Sequence, residues 1–355
     1  MFAPELTHFS LLSMRNSTTY KVAGPKTLRL SSTKILNRWG GNLQNIEKSM
    51  REIYYPDPGK IFVQVDQSGA DALIVAYCSV AGQYRELFKN GIKPHSYLAM
   101  QLFKDVWPRK MREHGVITGD SGFDIEALIN CPIAQLKSQP FWRELDLIIK
   151  DSDNWPLTER YYYLAKQTEH SSNYAIKPPM FRMNVLEKSG GKVVISKEDS
   201  ERFLMTKFAL FPEILGYQRW VEFQARQHKM LYNLHGHPYT ITSHEIQDTQ
   251  LKELYSWIPQ STVGEITNIA YTRMQEFIES KSLSWDLLAN THDSYLLQCP
   301  IPEAMDCANE GRRFMGQTFT SPIDGAEFSM KSEAAIGYNW RPFHKTKNPG
   351  GLKGI

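Results

Sequence analysis

The pattern of apolar and polar positions predicts three short strands that carry two aspartates. Residues 61–65 form a β-branched apolar run behind a turn rich in proline, and the run ends at Asp66. Residues 287–291 and 294–299 are two further apolar runs, and the short segment between them contains Asp293. This spacing predicts a hairpin with a carboxylate at its tip. Both aspartates are therefore expected at the ends of buried strands.

Much of the remaining chain has helical spacing. The predicted helices cover residues 71–103 with a break near 90–94, 158–176, 212–234 and 262–281. The pair Pro178-Pro179 is expected to end the second of these helices, and the turn 235–238 to end the third. Residues 104–157 have no clear period, so we expect an insertion of helices and loops there.

The helix predicted at 158–176 has the most informative face. Tyr162, Lys166, His170 and Tyr174 recur every four residues, so they share one side of the helix. An aromatic stripe that packs into a protein core has the same spacing. The pattern alone therefore does not decide between a binding surface and a core stripe.

Composition narrows the class of protein. The chain has 355 residues, of which 41% are hydrophobic and 22% are charged, as is typical of a globular protein. No stretch approaches the roughly 20 apolar residues that a membrane span needs, so no membrane partner is expected. The four cysteines are widely separated, which argues against a zinc site and suggests a reducing compartment.

Positive charge is concentrated near the two ends of the chain. Residues 1–60 carry nine Lys or Arg and four Asp or Glu, and the last 15 residues contain four basic side chains and no acidic one. Binding to phosphates requires clustered positive charge, although a solvated basic surface has the same composition.

The two aspartates are candidate ligands for divalent cations. A carboxylate at the end of a buried strand is costly unless a partner neutralises it, and two such carboxylates repel each other. Mg²⁺ prefers oxygen ligands, which it shares with substrate phosphates. Two such ions about 3.5–4 Å apart activate a 3′-hydroxyl and stabilise a leaving pyrophosphate. Taken singly, each aspartate is also explained as the cap of a helix or turn.

A series of motifs around these aspartates resembles the family A DNA polymerases, the family of bacterial polymerase I. In chain order the motifs are TLRLSS (27–32), GNLQNI (41–46), VDQSGAD (65–71), KQTEHSSNY (166–174), PQST (259–262) and THDS (291–294). Each motif alone is a weak signal, whereas all of them in one order, with both aspartates at strand ends, favour this family. Among its members, phage-type polymerases resemble this set of variations most.

The resemblance implies roles for the metal-binding and nucleotide-binding residues. Asp66 and Asp293 would bind two Mg²⁺ ions, with the carbonyl of Gln67 as a third oxygen ligand, and Lys166 would bind the phosphates of the incoming nucleotide. The nucleotide-binding residues would also include Asp71 beside the sugar 2′-position, His170 against the sugar and base, and Tyr174 stacked at the templating position.

Contacts to primer and template are implied for a further set of polar residues. This set comprises Arg29, Asn42, Gln44, Asn45, Gln260 and His292, the last near the primer terminus. The amide and guanidinium groups among them suit minor-groove acceptors that all base pairs share. Each is also explained as a side chain that stabilises a loop.

Four positions depart from the family pattern. Tyr162 stands where the family has a phosphate-binding arginine, and Arg160 lies two residues from that position. Asp71 is one methylene shorter than the usual glutamate, which predicts weaker or different discrimination against ribonucleotides. The other two departures are Ser294 in place of a glutamate and Ala175 in place of a glycine.

The fold implied by the resemblance is α+β, with an antiparallel palm sheet and an inserted, mainly helical fingers domain. The predicted segments are 1–75 and 241–342 for the palm, 76–240 for the fingers and 343–355 for a basic flexible tail. Because the first motif begins at residue 27, thumb and 3′–5′ exonuclease domains are expected to be absent from this chain. One hypothesis is that a second protein chain supplies them, and the other is truncation of a longer product.

The expected activity is template-directed DNA polymerisation, with primer-template DNA and deoxynucleoside triphosphates as partners, in the cytoplasm of a bacterium or a phage-infected cell. Two alternatives remain. Tyr162 and the missing thumb motivate a non-catalytic DNA-binding relative of a polymerase. A two-metal nuclease is the second alternative, although that reaction does not require the Lys166 helix face.

Overall fold

The computed structural model describes residues 16–22, 24–33, 41–118 and 122–355, so part of the basic N-terminal region lies outside the described residues. The described strands are β1 (Thr19–Lys21), β2 (Ser31–Thr33), β3 (Lys60–Gln67), β4 (Met230–Tyr232), β5 (Pro238–Thr240), β6 (Asp286–Asn290), β7 (Ser294–Pro300), β8 (Thr318–Thr320), β9 (Glu327–Ser329), β10 (Ser332–Gly337) and β11 (Lys353–Gly354). Five of these form an antiparallel sheet in the order β11-β10-β3-β7-β6, which we call the central sheet.

Helices account for most of the regular structure between β3 and β6. The described helices are α1 (Ala70–Tyr77), α2 (Gln83–Lys89), α3 (Pro94–Leu102), α4 (Trp107–Glu113), α5 (Ile125–Ile129), α6 (Ile133–Leu136), α7 (Trp142–Asp151), α8 (Tyr161–Ser172), α9 (Pro178–Lys188), α10 (Lys197–Leu210), α11 (Glu213–His228), α12 (Asp248–Lys281) and α13 (Ala304–Met315). A mixed fold with antiparallel sheets confirms the predicted α+β class.

Strand β3 lies in the middle of the central sheet, and its side chains alternate between the two faces. Ile61, Val63 and Val65 are buried in the main core, on the side where α12 and α13 pack. Phe62 points to the other face, into a smaller apolar cluster. Asp66 follows on this second face and is exposed to solvent.

A glycine allows α13 to lie directly on the central sheet. A Cβ atom at Gly311 would lie 2.6 Å from Cγ2 of Val65 and 3.3 Å from Oη of Tyr295. The Tyr295 hydroxyl donates a hydrogen bond of 2.9 Å to the Gly311 carbonyl. This close approach holds β3 at the residue immediately before Asp66.

The region 104–157, predicted as an insertion of helices and loops, contains the short helices α4 to α7. Trp107, Leu136 and Leu145 from this region are buried in the main core. Because each helix has only a few turns, its apolar positions do not repeat often enough to give a visible period.

Proline lies at or near two predicted helix boundaries, and the structure differs from the prediction at one of them. Helix α12 begins at Asp248 and continues through Pro259, which cannot donate to the carbonyl of Tyr255. The hydroxyl of Tyr217 donates to that carbonyl at 2.6 Å, so the lost bond is replaced. Pro178 and Pro179 do follow α8, but they also form the first turn of α9, where a missing N–H costs little.

The predicted helix at 212–234 is also shorter than expected. It ends at His228, because Lys229 adopts a left-handed conformation with φ of 51°. Residues that were expected to continue the helix form β4, which pairs with β5 in a hairpin.

Part of the segment predicted as a flexible tail, 343–355, pairs with and packs on the central sheet. Ile336 and Ala335 of β10 pair with β11, and Leu352 is buried on the central sheet. Asn348 is also buried and exchanges side-chain hydrogen bonds of 2.8 and 3.0 Å with Asn339. The Asn-Pro-Gly-Gly sequence therefore forms a tight return to the sheet.

Candidate active site

Neighbouring strands bring the two predicted aspartates to one end of the central sheet. Asp66 stands opposite Ser294 in the β3–β7 pair, and the Gln67 N–H donates to the carbonyl of Asp293 at 3.0 Å. His292 has a φ of 75° and forms the turn between β6 and β7. The hairpin expected from the sequence is present, and both aspartates are exposed.

Electrostatic repulsion is concentrated at this end of the sheet. The pKa of Asp66 is raised to about 7, first by burial and then by the negative charges of Asp293 and Glu333. Although the Asp66 side chain reaches solvent, the protein atoms around it restrict its hydration. Glu333 stands directly opposite Asp66 on β10 and so lies on the same face. The charge of Lys166 acts in the opposite direction and favours the Asp66 carboxylate.

The donor set at this site fits Mg²⁺. Among the described residues, no group of three or more His, Cys, Asp or Glu side chains is arranged to hold a metal ion by itself. Asp66 and Asp293 offer two carboxylates, and Mg²⁺ commonly uses one or two carboxylates together with water and substrate phosphates. A divalent cation would also offset both causes of the raised pKa of Asp66, which are burial and then the repulsion by Asp293 and Glu333.

The Gln67 side chain fixes the end of β3 rather than facing the site. It is buried, and its Nε2 donates to the carbonyl of Val263 at 3.0 Å and to Oγ1 of Thr267 at 2.7 Å. Both acceptors belong to α12, so this amide joins the central sheet to the long helix. Only the Gln67 backbone carbonyl is left for the role implied by the resemblance.

The predicted face of α8 lies on the surface. Lys166 and His170 are exposed, and Tyr162 and Tyr174 are half-buried. A core stripe would be buried throughout, so that interpretation does not describe this face. Since the Lys166 charge acts on Asp66, α8 lies within electrostatic range of the carboxylates on the central sheet.

Asp71 connects the α8 face to α1, the helix that follows β3. The Tyr174 hydroxyl donates to Oδ2 of Asp71 at 3.2 Å, and Nη2 of Arg29 lies 3.9 Å from Oδ1. Burial raises the pKa of Asp71, and the positive charges of Arg29 and His170 oppose that rise. Four of the predicted site residues therefore form one cluster around this carboxylate.

Two of the residues predicted to contact DNA form hydrogen bonds that stabilise a loop. Gln44 is buried: its Oε1 accepts from the Ser32 N–H at 2.8 Å, and its Nε2 donates to the carbonyls of Leu30 and Asn290. The side chain of Asn42 accepts from the Gln44 N–H at 3.1 Å. The loop-stabilising explanation describes both side chains.

The other residues predicted to contact DNA have free polar groups. Asn45 is exposed, and Gln260 is half-buried on α12. Nε of Arg29 and Nδ1 of His292 are buried without a hydrogen-bond partner among the described residues. Burial lowers the pKa of His292, and the nearby charge of Arg29 lowers it further.

The sequence did not point to His95, which lies beside the α8 face. Its ring is 5.7 Å from that of Tyr162, and its Nε2 lies 3.1 Å from Oε2 of Glu169. Glu169 is buried and lies 3.8 Å from the buried Nζ of Lys207. The local sequence around His95 offers one signal, the proline before it, and this proline marks the start of α3.

The departures at the start of α8 leave no arginine on this face. Burial raises the pKa of Tyr162 to about 12, so its hydroxyl is neutral. Arg160 lies close by, but its Nε donates to the Asp153 carbonyl at 2.9 Å, and its Nη2 pairs with the Asp153 carboxylate. The Arg160 guanidinium is thus bound by Asp153.

Ala175, which stands in place of a glycine, has a φ of 55°. Only glycine adopts this left-handed conformation without strain. The backbone after α8 therefore has a conformation that favours the glycine expected from the resemblance.

Comparison with known proteins supports the fold. No protein-family model and no curated protein sequence matches the chain. Among solved structures, the chain is similar to the polymerase domain of Pol1 from M. smegmatis in complex with a DNA primer-template and a dNTP. The TM-score is 0.64 at 18% sequence identity, over 95% of this chain and 50% of that chain. The chain thus has a polymerase-like fold and spans half the length of the neighbour it matches.

Proposed function

We propose that the chain catalyses template-directed addition of deoxynucleotides to the 3′-end of a primer. The observation that carries this proposal is the relation between two surfaces: the Asp66 and Asp293 carboxylates of the central sheet, and the face of α8 with Lys166. The likeness to a polymerase domain with bound primer-template and dNTP supports the same conclusion.

In the proposed mechanism, Asp66 and Asp293 would hold two Mg²⁺ ions. When bound, these ions supply activation of the primer 3′-hydroxyl and stabilisation of the leaving pyrophosphate. The Lys166 ammonium binds the triphosphate, and Tyr174 offers a ring for base stacking at the template. Asp71, held by Tyr174 and Arg29, borders the sugar. Catalysis then consists of positioning and charge stabilisation.

Primer extension with Mg²⁺ and four deoxynucleotides tests the proposal directly. Wild type should extend the primer, whereas Asp66→Asn and Asp293→Asn should each lose activity by several orders of magnitude while still binding primer-template. Asp286→Asn is a matched control, since Asp286 is an exposed aspartate at the start of the same hairpin. Extension by either active-site variant at the wild-type rate would exclude that residue as a metal ligand.

Tyr162 favours a second candidate function, that of a non-catalytic DNA-binding relative of a polymerase. Binding of primer-template without any extension, at all Mg²⁺ and nucleotide concentrations, would support that function. If extract from the native source restores extension, the missing factor is a second chain, as a split polymerase requires. Substitution of Lys166 separates a nuclease from a polymerase, because cleavage of DNA does not require a triphosphate contact.

A further inference from the structure

The proposed nucleotide face has little positive charge for a triphosphate. Lys166 is the one lysine or arginine among its four residues, since Tyr162 is neutral one turn earlier. The nearby Arg160 is held by Asp153. A nucleoside triphosphate carries several negative charges, so another cation is needed near the start of α8.

Helix α9 places a cation, Lys188, near the start of α8. The Tyr163 hydroxyl, near the start of α8, donates to the carbonyl of Val185, near the end of α9, at 3.3 Å. The two helices are therefore antiparallel, and Val185 is fully buried at their contact. Lys188 closes the last turn of α9, so it lies beside the first turn of α8.

Lys188 and Lys166 are neighbouring cations, each outside ion-pair distance of the acidic side chains that the structure describes. Both are exposed. Two other cations of this region are paired, Arg160 with Asp153 and Lys177 with Asp248. Among the described residues, no acidic side chain forms an ion pair with Lys166 or Lys188.

The two ammonium groups are close enough to repel. Burial of its stem lowers the pKa of Lys188, and the charge of Lys166 lowers it further, against the opposing effect of Glu187. Two like charges that are held near each other and form no ion pair favour binding of an anion between them.

We propose that Lys188 is a second phosphate-binding residue, which contacts the triphosphate of the incoming nucleotide together with Lys166. This inference rests on the proposed function, because it assigns a further contact at the same site. The alternative source of phosphate is the DNA backbone, and the two sources can be separated by experiment.

Lysine acetylation followed by mass spectrometry tests the contact without relying on turnover. The protein is labelled alone, with a 3′-dideoxy primer-template, and with the same DNA plus the next complementary dNTP and Mg²⁺. We expect the dNTP to slow labelling of Lys166 and Lys188 about tenfold, the effect of a charge-assisted contact. Lys192, an exposed lysine just beyond α9, should label equally in all three samples.

Each other outcome has a distinct meaning. Protection of Lys188 by DNA alone would assign it to the DNA backbone and overturn the inference. Protection of Lys166 but not Lys188 would also overturn it, while the proposed function stands. If the dNTP protects neither lysine and wild type extends no primer, the proposed function itself fails.

Steady-state kinetics provide the second test. Lys188→Met should raise KM for the dNTP about tenfold, with a smaller change in kcat and an unchanged Kd for primer-template. Lys188→Arg should keep most of the wild-type KM, because it retains the positive charge. If Lys188→Met has the same KM as the control Lys192→Met, the inference is refuted.

Discussion

Replacing Gly311 by alanine is expected to destabilise the protein, although alanine is the better helix former. The new Cβ would lie 2.6 Å from Cγ2 of Val65, and Val65 is completely buried. Overpacking of this kind costs about 1–3 kcal/mol. The gain in helix propensity is about 1 kcal/mol, so the net loss of unfolding free energy is about 0–2 kcal/mol.

Gly216 provides a matched control within α11. A Cβ at this position meets no atom of the described residues within 4 Å, so Gly216→Ala should gain up to about 1 kcal/mol from propensity alone. The two variants should therefore differ by about 1–3 kcal/mol, which is the overpacking cost. Urea unfolding followed by circular dichroism measures this difference.

Activity and coupling complete the test. Val65 precedes Asp66, so a shift of β3 in Gly311→Ala would also displace Asp66. Primer extension should therefore fall even at an assay temperature at which the variant is still folded. Val65→Ala removes the clashing methyl groups, so the double variant should lose less stability than the sum of the two single variants. If Gly311→Ala is as stable as Gly216→Ala, α13 and β3 are farther apart than the 2.6 Å distance from the added Cβ to Val65 requires.

Three further predictions concern other parts of the molecule. Ala175→Gly should raise the free energy of unfolding by about 0.5–1 kcal/mol, because it relieves a left-handed alanine, and no gain in urea unfolding would contradict this. Burial lowers the pKa of Lys207 to about 8, from 10.5 in the unfolded chain. Above pH 8, Lys207 thus binds more protons in the unfolded state than in the folded state. The free energy of unfolding of wild type relative to Lys207→Met should therefore rise between about pH 8 and 10. A difference that stays constant with pH would refute the lowered pKa of Lys207. Leu352→Ala should cost about 2 kcal/mol in thermal or urea unfolding, whereas Ile355→Ala at an exposed position should cost almost nothing.

The positions of the two aspartates could be predicted from local sequence. Residues 61–65 are short, apolar and bounded by a turn, and the pair of runs around Asp293 is separated by a few polar residues. These signals depend on neighbours in the chain, so they persist whatever the tertiary structure is. The period of four that aligns Lys166 with Tyr174 is a signal of the same local kind.

Features that depend on distant residues could not be predicted in this way. The start of α12 was missed because Pro259 normally marks a boundary, and the hydroxyl that compensates for it belongs to Tyr217 on another helix. Similarly, a sequence rich in glycine and lysine gave no sign that Leu352 packs on the central sheet. The pairing of Glu169 with Lys207 also joins residues of different helices.

The central position of β3 has a consequence for sequence change during evolution. Because side chains alternate along a strand, inserting or deleting one residue within 60–65 would turn Asp66 toward the main core and a valine toward solvent. Pairing on both sides, with β7 and with β10, prevents the strand from sliding to correct the error. Length variation should therefore be eliminated from this strand, whereas the loops between the short helices α4 to α7 can tolerate it.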